Sequence, residues 1–515
     1  MTIVDDAPPG VADRLRKLTG VGPGGPELLP LDAGQQYRFS FAMEACIGCH
    51  SCEVACAEQN DTPVDVAWRR VGELESGAFP QTRRFSMSMA CNHCLEPTCL
   101  SGCPTNAYVK LGNGVVKHLE DECIGCQYCI WNCPYEVPVF DRRRKIVSKC
   151  DMCLPRLEAG QKPACVGACP TRAIDVEPVD VAAWRADHRA ADAPSLPPSD
   201  VTLSTTRLIL PLDLAGDAVA AGDHAVQPEH PHWPLVALTL LTQLSLGTVA
   251  ATVLAELAGG RRLAGGAVGA AVAGSVAMGA SLLHLGRPAR ALKALRNVRT
   301  SWLSREVALL SGFALLSLAY AAAWEGWAAG ALRLPLGLAA VVLGAAGVYA
   351  SGRLYLVRSR PVWNSRRTLV AFFATAAVTG PLVALLTLDR GRLEPGLVLA
   401  LMAAAAAGSL AQVAAHAHLA RVLRSRHDRQ HQGTATLLRG RFRGLVQARL
   451  AAVVVGLALV AWAAADPLAG PAAGGRLAVA LAVLGAGELA GRYLFYVTVV
   501  PYRVAVPFFG GRGHR

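Results

Sequence analysis

From Trp233 onward the chain runs through eight apolar segments, at about 234–257, 264–285, 307–324, 335–356, 368–388, 397–419, 446–465 and 477–500. Most reach about 18–24 residues, and at 1.5 Å of rise per residue such a helix crosses a hydrocarbon core of roughly 30 Å. A soluble bundle would carry a polar stripe along each helix. These segments mostly lack one, so the pattern predicts an all-α polytopic membrane bundle of about eight transmembrane helices over 233–503. Ahead of Trp233 the pattern changes. Apolar runs there are short, at Phe39–Met43, Val115-Val116 and Ile174–Val176, and each adjoins a cysteine-rich loop. They predict the small strands of an α+β domain over 37–180.

Composition sharpens this division. The 515 residues are 52% hydrophobic and 17% charged, and all 16 cysteines fall between Cys46 and Cys169. Residues 1–36, with Pro8-Pro9-Gly10 and Gly22-Pro23-Gly24-Gly25-Pro26, read as a flexible leader. Residues 181–232 read as a linker; Leu208-Ile209-Leu210 gives part of it the means to pack on a neighbouring surface. Residues 504–515 form a tail. The net charge of +12 sits mainly in loops between apolar segments. Nucleic-acid binding would instead need a basic stripe with interleaved aromatics on a soluble domain, so no such partner is expected.

An even number of crossings puts both termini on one side. Loops on that side hold Arg287, Arg290, Lys293, Arg296, Arg358, Arg366, Arg421 and Arg439 among others, whereas the other side holds only Arg261, Arg262, Arg333, Arg390, Arg392 and Arg476. The positive-inside rule then places the cysteine module and both termini on the cytoplasmic face of the inner membrane. No apolar signal region or twin arginine is visible at the N-terminus.

The cysteines fall into four groups: Cys46-x2-Cys49-x2-Cys52-x3-Cys56; Cys91-x2-Cys94-x4-Cys99-x3-Cys103-Pro104; Cys123-x2-Cys126-x2-Cys129-x3-Cys133-Pro134; and Cys150-x2-Cys153-x11-Cys165-x3-Cys169-Pro170. A C-x2-C-x2-C loop curls three thiolates around one iron–sulfur cube, and the cysteine three residues on, usually before proline, ligates a different cube. Four groups of four therefore predict four 4Fe–4S clusters with ligands exchanged between groups, on the small strands of a ferredoxin-like fold. Paired CxxC motifs also serve structural zinc. Zinc, however, does not require a third cysteine at the next step with Cys-Pro after it, repeated. Disulfides would need an oxidising compartment and a signal peptide.

The module closely resembles the iron–sulfur subunit of the dimethyl sulfoxide reductase family of molybdoenzymes. The resemblance covers about 39–179 and rests on Cys91-Asn92-His93-Cys94, Cys123-Ile124-Gly125-Cys126, Cys133-Pro134-Tyr135, Lys149-Cys150-Asp151 and the four cysteine spacings. It implies one cluster on Cys46, Cys49, Cys52 and Cys169 and its partner on Cys56, Cys150, Cys153 and Cys165. A third would take Cys91, Cys94, Cys99 and Cys133, and a fourth Cys103, Cys123, Cys126 and Cys129. Some relatives carry tryptophan at the position of Cys126 and hold a 3Fe–4S cluster; the cysteine here implies four cubanes.

The membrane half is similar to the anchor subunit of the same family, through His284-Leu285-Gly286-Arg287-Pro288, Ser301–Glu306, Gly487-Glu488 and Gly491-Arg492. Cluster and anchor subunits are normally separate chains; here they are fused. A quinol-oxidising anchor needs a proton acceptor and a donor to the ring oxygens. His284, with its near-neutral pKa, and Glu306, at the start of the third segment, match the family's quinol-site positions, and Arg287 adds a donor. Capping of that segment by Ser304 is the structural alternative for Glu306. Glu488 and Arg492 stand four apart as an expected buried ion pair, and Gln243 is a further candidate quinone ligand. His416 and His418, two apart on a helix, face opposite ways, so no haem is expected.

These features imply an electron-transfer and anchor chain, not itself catalytic beyond quinone redox. It would join quinone or menaquinone to a separate molybdopterin-containing subunit, in either direction, as in sulfite-oxidising relatives. The rival readings are an anchor for a hydrogenase- or formate-type complex and a proton pump. The first favours haem histidines or another helix count, and the second a file of buried acids and lysines.

Overall fold

The protein is described by a computed structural model covering residues 28–502 apart from 215, 217, 221–225, 260–263, 327–329, 389–392 and 466–470. The expected leader up to residue 27 and the expected tail lie outside the described residues, as do Arg261, Arg262, Arg390 and Arg392. The protein divides into two compact units, one built on residues up to Ala225 and one on Val226–Pro501.

The first unit alternates short strands and short helices: β1 (Gln35–Ala42), α1 (Ser51–Gln59), β2 (Arg70–Ser76), β3 (Arg83–Met89), α2 (Thr98–Gly102), β4 (Tyr108–Lys110), β5 (Val116–His118), α3 (Tyr128–Asn132), β6 (Val139–Asp141), β7 (Ile146–Ser148), α4 (Leu154–Glu158), α5 (Ala164–Gly167), β8 (Ile174–Asp180), α6 (Val181–Asp187), β9 (Arg207–Ile209) and β10 (Val219–Ala220). This is the expected α+β, ferredoxin-like arrangement. Two of the predicted strands find each other: β1 and β8 run antiparallel, with Phe39 opposite Val176 and Phe41 opposite Ile174. β2 and β3 form a longer hairpin, and β4–β5 and β6–β7 are two-stranded ribbons, each following one cysteine group and preceding the next.

Residues 181–232, read from sequence as a linker, are folded onto this unit as far as β10. β9 joins β1 in parallel, pairing Leu208 with Phe41, and β10 joins β2, pairing Ala220 with Leu74. α6 begins at Asp180, whose carboxylate accepts the Ala183 N–H at 2.7 Å. It buries Trp184, whose ring carries the Arg38 guanidinium 4.4 Å from its centre. Both faces of β1 are thereby covered, which explains why Gln36, Arg38 and Ser40 are buried along with Tyr37, Phe39 and Phe41.

The second unit is helical: α7 (Trp233–Leu257), α8 (Ala264–Leu282), α9 (Trp302–Trp324), α10 (Arg333–Leu354), α11 (Arg366–Thr387), α12 (Pro395–Ser425), α13 (Arg429–Arg439), α14 (Arg443–Ala465) and α15 (Pro471–Val497). All but α13 are long and apolar enough to cross a membrane, which makes eight among the described residues. α9 starts five residues earlier than the apolar run suggests. Its cap is Ser301, whose hydroxyl accepts the Ser304 N–H at 3.4 Å, so Ser304 is not the cap. Glu306 therefore lies in the second turn of the helix, not at its mouth.

Glycine and alanine dominate these helices because lipid offers helices no hydrophobic incentive to associate; close backbone approach does the work instead. α7 and α11 cross at Gly247 and Gly380, where a Cβ on Gly247 would lie 2.1 Å from the Ala376 carbonyl oxygen and one on Gly380 2.1 Å from the Gly247 carbonyl carbon. Hydroxyls inside the bundle satisfy themselves locally: Thr242, Thr248, Thr252 and Thr379 each donate to the carbonyl four residues back.

At the crossing the obstacle is backbone, which cannot rotate away. Gly247→Ala should therefore destabilise the bundle by about 1–3 kcal/mol, read as a lower unfolding midpoint in detergent. An unchanged midpoint would mean that the two helices do not touch there.

Candidate cluster ligands and quinone site

Each cysteine loop is bent by left-handed backbone. His50 follows Cys49 at φ 60°, ψ 2°, and Gln127 follows Cys126 at φ 60°, ψ 4°; the same turn recurs at the same place in two groups. Gly48 and Gly125 precede these cysteines at φ 66° and 70°. Non-glycine residues in this region cost of order 1 kcal/mol or more each. The loops accept that cost to bend the chain between successive cysteines. The helices that follow are short because proline ends them: Cys103 and Cys133, each before a proline, are already extended at ψ 122° and 117°.

The thiols of the four groups gather across group boundaries. Burial, then Cys165 and Cys153, push the Cys56 thiol up to about 12. Burial, then Cys91, push Cys94 up to about 12, with Cys133 adding to it. Cys99 is held well above the ordinary range by burial and by Cys133, Cys91 and Cys94, and Cys129 by burial and by Cys126, Cys123 and Cys103. Cys46 is raised by burial, with Cys169 and Cys49 as its thiol neighbours. Cys52 follows the same pattern. Its thiol neighbour is Cys165, of the fourth cysteine group. Cys91, Cys94, Cys99 and Cys133 line one cavity of about 380 Å³ together with Lys149 and Thr202.

The surroundings fit a sulfur-rich, negatively charged occupant. Arg69 is buried beside Cys165, Cys52, Cys150 and Cys56, and its Nε and Nη2 have no hydrogen-bond partner. Buried N–H groups left in this state need an acceptor, and the sulfur of a bound cluster would supply one. Lys149 is buried near Cys91, Cys99 and Cys150. Donors also reach individual thiols: Thr202 Oγ1 to Cys94 at 3.1 Å, and the N–H groups of Ala107, Met152 and Ala173 to Cys103, Cys150 and Cys169 at 3.3, 3.3 and 3.2 Å. Such bonds set reduction potentials in iron–sulfur sites. His93 accepts the Val116 N–H on Nδ1, so its proton sits on Nε2, 4.0 Å from Cys150 Sγ. Burial holds its pKa well below the ordinary value, and it is neutral.

In the helical unit, the structure links His284 and Glu306 through residues that sequence reasoning missed. The His284 ring meets His232 edge-on at 5.5 Å, and His232 lies 6.1 Å from the Tyr496 ring. The Tyr496 and Tyr355 hydroxyls are 2.5 Å apart, and the Glu306 carboxyl acts on both tyrosines. Glu306 itself is buried and hydrogen-bonded to Ser351. Arg287 follows three residues after His284, half-buried where the 3-10 segment Pro288–Leu295 begins. The available signal for the missed residues was position: His232 directly precedes the first helix, and the tyrosines lie at the ends of the fourth and eighth.

Gln243 is buried, and its Oε1 accepts Arg492 Nη2 at 2.7 Å. The expected Glu488–Arg492 ion pair is not formed. Thr375 stands between them, donating to Glu488 at 2.5 Å and accepting from Arg492 at 3.4 Å. His416 borders a cavity with Arg367 and Arg449, and His418 is exposed.

Residues 227–497 match the family described as DMSO reductase anchor subunit (DmsC), and residues 83–178 match the 4Fe-4S dicluster domain. The first unit is similar to one component of the anaerobic dimethyl sulfoxide reductase of Haemophilus influenzae, with 41% identity over 177 residues, covering 33% of this protein and 86% of the relative. The component of the same description from Escherichia coli K12 is 37% identical over 167 residues, covering 31% of this protein and 82% of that one. One component of the sulfite dehydrogenase of Allochromatium vinosum is 37% identical over 160 residues, covering 27% and 67%.

Iron binds thiolates, so the protons that burial keeps on these thiols must leave on loading. Because the thiol pKa values are raised, lowering the pH favours the protonated, metal-free form. Iron loss to a chelator should be several-fold faster at about pH 5.5 than at about pH 8, followed by iron content after gel filtration. Equal rates at both would show that thiol protonation does not compete with iron.

Proposed function

This protein belongs to the DMSO reductase anchor subunit (DmsC) family, with the iron–sulfur subunit of such reductases joined ahead of the anchor, and on that premise we propose that it passes electrons between membrane quinone and a separate molybdopterin-containing catalytic subunit. The observation that carries this reading is the mutual approach of thiols from different cysteine groups, with Arg69 donors unpartnered among them. Cys46, Cys49, Cys52 and Cys169 hold one 4Fe–4S cluster and Cys56, Cys150, Cys153 and Cys165 the next. Cys91, Cys94, Cys99 and Cys133 hold a third, and Cys103, Cys123, Cys126 and Cys129 a fourth. When bound, the clusters supply one-electron carriers.

A quinol releases two protons with its two electrons, and the anchor's residues receive them. His284 accepts the proton of one ring hydroxyl, Arg287 donates to a ring oxygen, and Glu306 takes the second proton. Tyr355, Tyr496 and His232 connect the two acceptors. Burial, then the neighbouring His284 and His230 rings, push His232 down to about 3, so its ring is neutral at physiological pH and holds a proton only in passing. Run backwards, the same groups protonate a quinone, and the similarity to a sulfite dehydrogenase component keeps that direction open. The arginine-rich loops favour an inner-membrane location with the cluster module on the cytoplasmic side.

Metal analysis of the complex purified from its membranes tests the assembly. About sixteen irons from this protein, with molybdenum or tungsten in a co-purifying chain, is the expected result; nickel, or no second metal, would overturn the molybdoenzyme assignment. His284→Arg should abolish cluster reduction by quinol, followed as cluster bleaching, while dithionite still reduces the clusters fully. Undiminished quinol reduction in that variant would sink the site.

A further inference from the structure

A second polar site in the helical unit is lined by none of His284, Arg287 and Glu306. α11, α12, α14 and α15 surround a partly open cavity whose wall carries Arg367, Arg449 and Arg492 together with Glu488, Gln412 and His416. Guanidinium groups stay protonated in any protein environment, so three fixed positive charges face one carboxylate. That carboxylate is held by neutral donors, the Thr375 hydroxyl and the Gln412 amide at 2.5 and 2.8 Å, and none of the three arginines is ion-paired with it. Arg449 donates to Gln412 Oε1 at 3.0 Å and Arg367 to the Val362 carbonyl at 3.2 Å. Arg492 is buried with its Nε unpartnered. An excess of buried positive charge among membrane helices is costly unless an anion offsets it.

The cavity's remaining wall, including Leu419, Leu438 and Phe495, is apolar. Arg367 is the second residue of α11, and Val499, also on the wall, lies two residues beyond the end of α15. The cavity therefore runs from the end of the bundle, near the depth of lipid headgroups, inward to Glu488. Space for Arg449 is provided by Gly491: a Cβ there would lie 2.6 Å from the guanidinium carbon. We infer that this cavity seats a phosphate-type oxyanion, supplied by the headgroup of an anionic phospholipid, with its acyl chains along the apolar wall. A neutral quinone would leave the arginine charge uncompensated.

The test uses the intact complex in nanodiscs of phosphatidylglycerol and phosphatidylcholine, released and weighed by native mass spectrometry. Wild type should retain phosphatidylglycerol in preference to phosphatidylcholine. Arg449→Gln should reduce that retention at least tenfold. Gly491→Ala, which keeps every charge and only displaces the flexible end of Arg449, should reduce it in the same direction, and cluster absorbance checks that both variants fold. Inorganic phosphate bound without any preference between the two lipids would overturn the lipid as the source of the anion. Equal retention of both lipids in all three proteins, with no phosphate bound, would overturn the site.

Discussion

Four thiolates brought together in a protein interior repel one another and resist ionisation unless a metal centre lies among them. The first unit is organised around that constraint. Its 16 cysteines are mostly buried, and its helices beside them are four to nine residues long, far too short to be stable alone. Left-handed turns at His50 and Gln127 raise the energy of the fold further. What offsets these terms is the set of iron–thiolate bonds, since in small metallo-domains the binding free energy is folding free energy. The strands serve the same end. β1 is covered on both faces so that the loops leaving it have a fixed frame.

The helical unit answers to a different constraint. In lipid every backbone polar group must find its partner within the protein, which helices achieve by themselves. The design problem is then association, solved by glycine at crossings such as Gly247 and Gly380, and by side-chain hydroxyls returned to their own helix. Ionisable groups that depart from this economy stand out. Glu306 and the Glu488 network are the deep ones, and each sits in a group of tyrosine, threonine or glutamine partners that a purely structural helix would not need.

Much of this was legible from residue order. Ligand spacing is a local property, dictated by the curl of a short loop, so the cysteine groups could be read directly. So could the eight helices, because a hydrocarbon core imposes length and apolarity without regard to neighbours. What escaped depends on distant partners. β9 and β10 have three and two residues, too few for any alternation to register, and they exist because β1 and β2 offer them edges. The Ser301 cap hides because Ser304, Arg305 and Glu306 separate Trp302 and Leu303 from the apolar run that follows. Glu488 and Arg492 satisfy the i, i+4 spacing of an ion pair, yet Thr375 from another helix intervenes. His232, Tyr355 and Tyr496 are distant in sequence and become a group only through packing.

Buried positive charge is common to the two units. Arg69 in the first and Arg492 in the second are both buried, and each keeps guanidinium N–H groups without a hydrogen-bond partner. At Arg69 burial alone would favour loss of the proton, but four thiol groups outweigh it and the pKa is raised. The cation is therefore stabilised by the ligands it accompanies, and its field in turn favours the more negative, reduced state of the centres those ligands hold. Lys149 has the same relation to Cys91, Cys99 and Cys150. Each lies where thiols of two different cysteine groups approach, so a positive charge there lowers the energy of added negative charge on either side of it. The first unit thus carries its counter-charges in the fold at the points between sites, which is where a relay of electrons needs them.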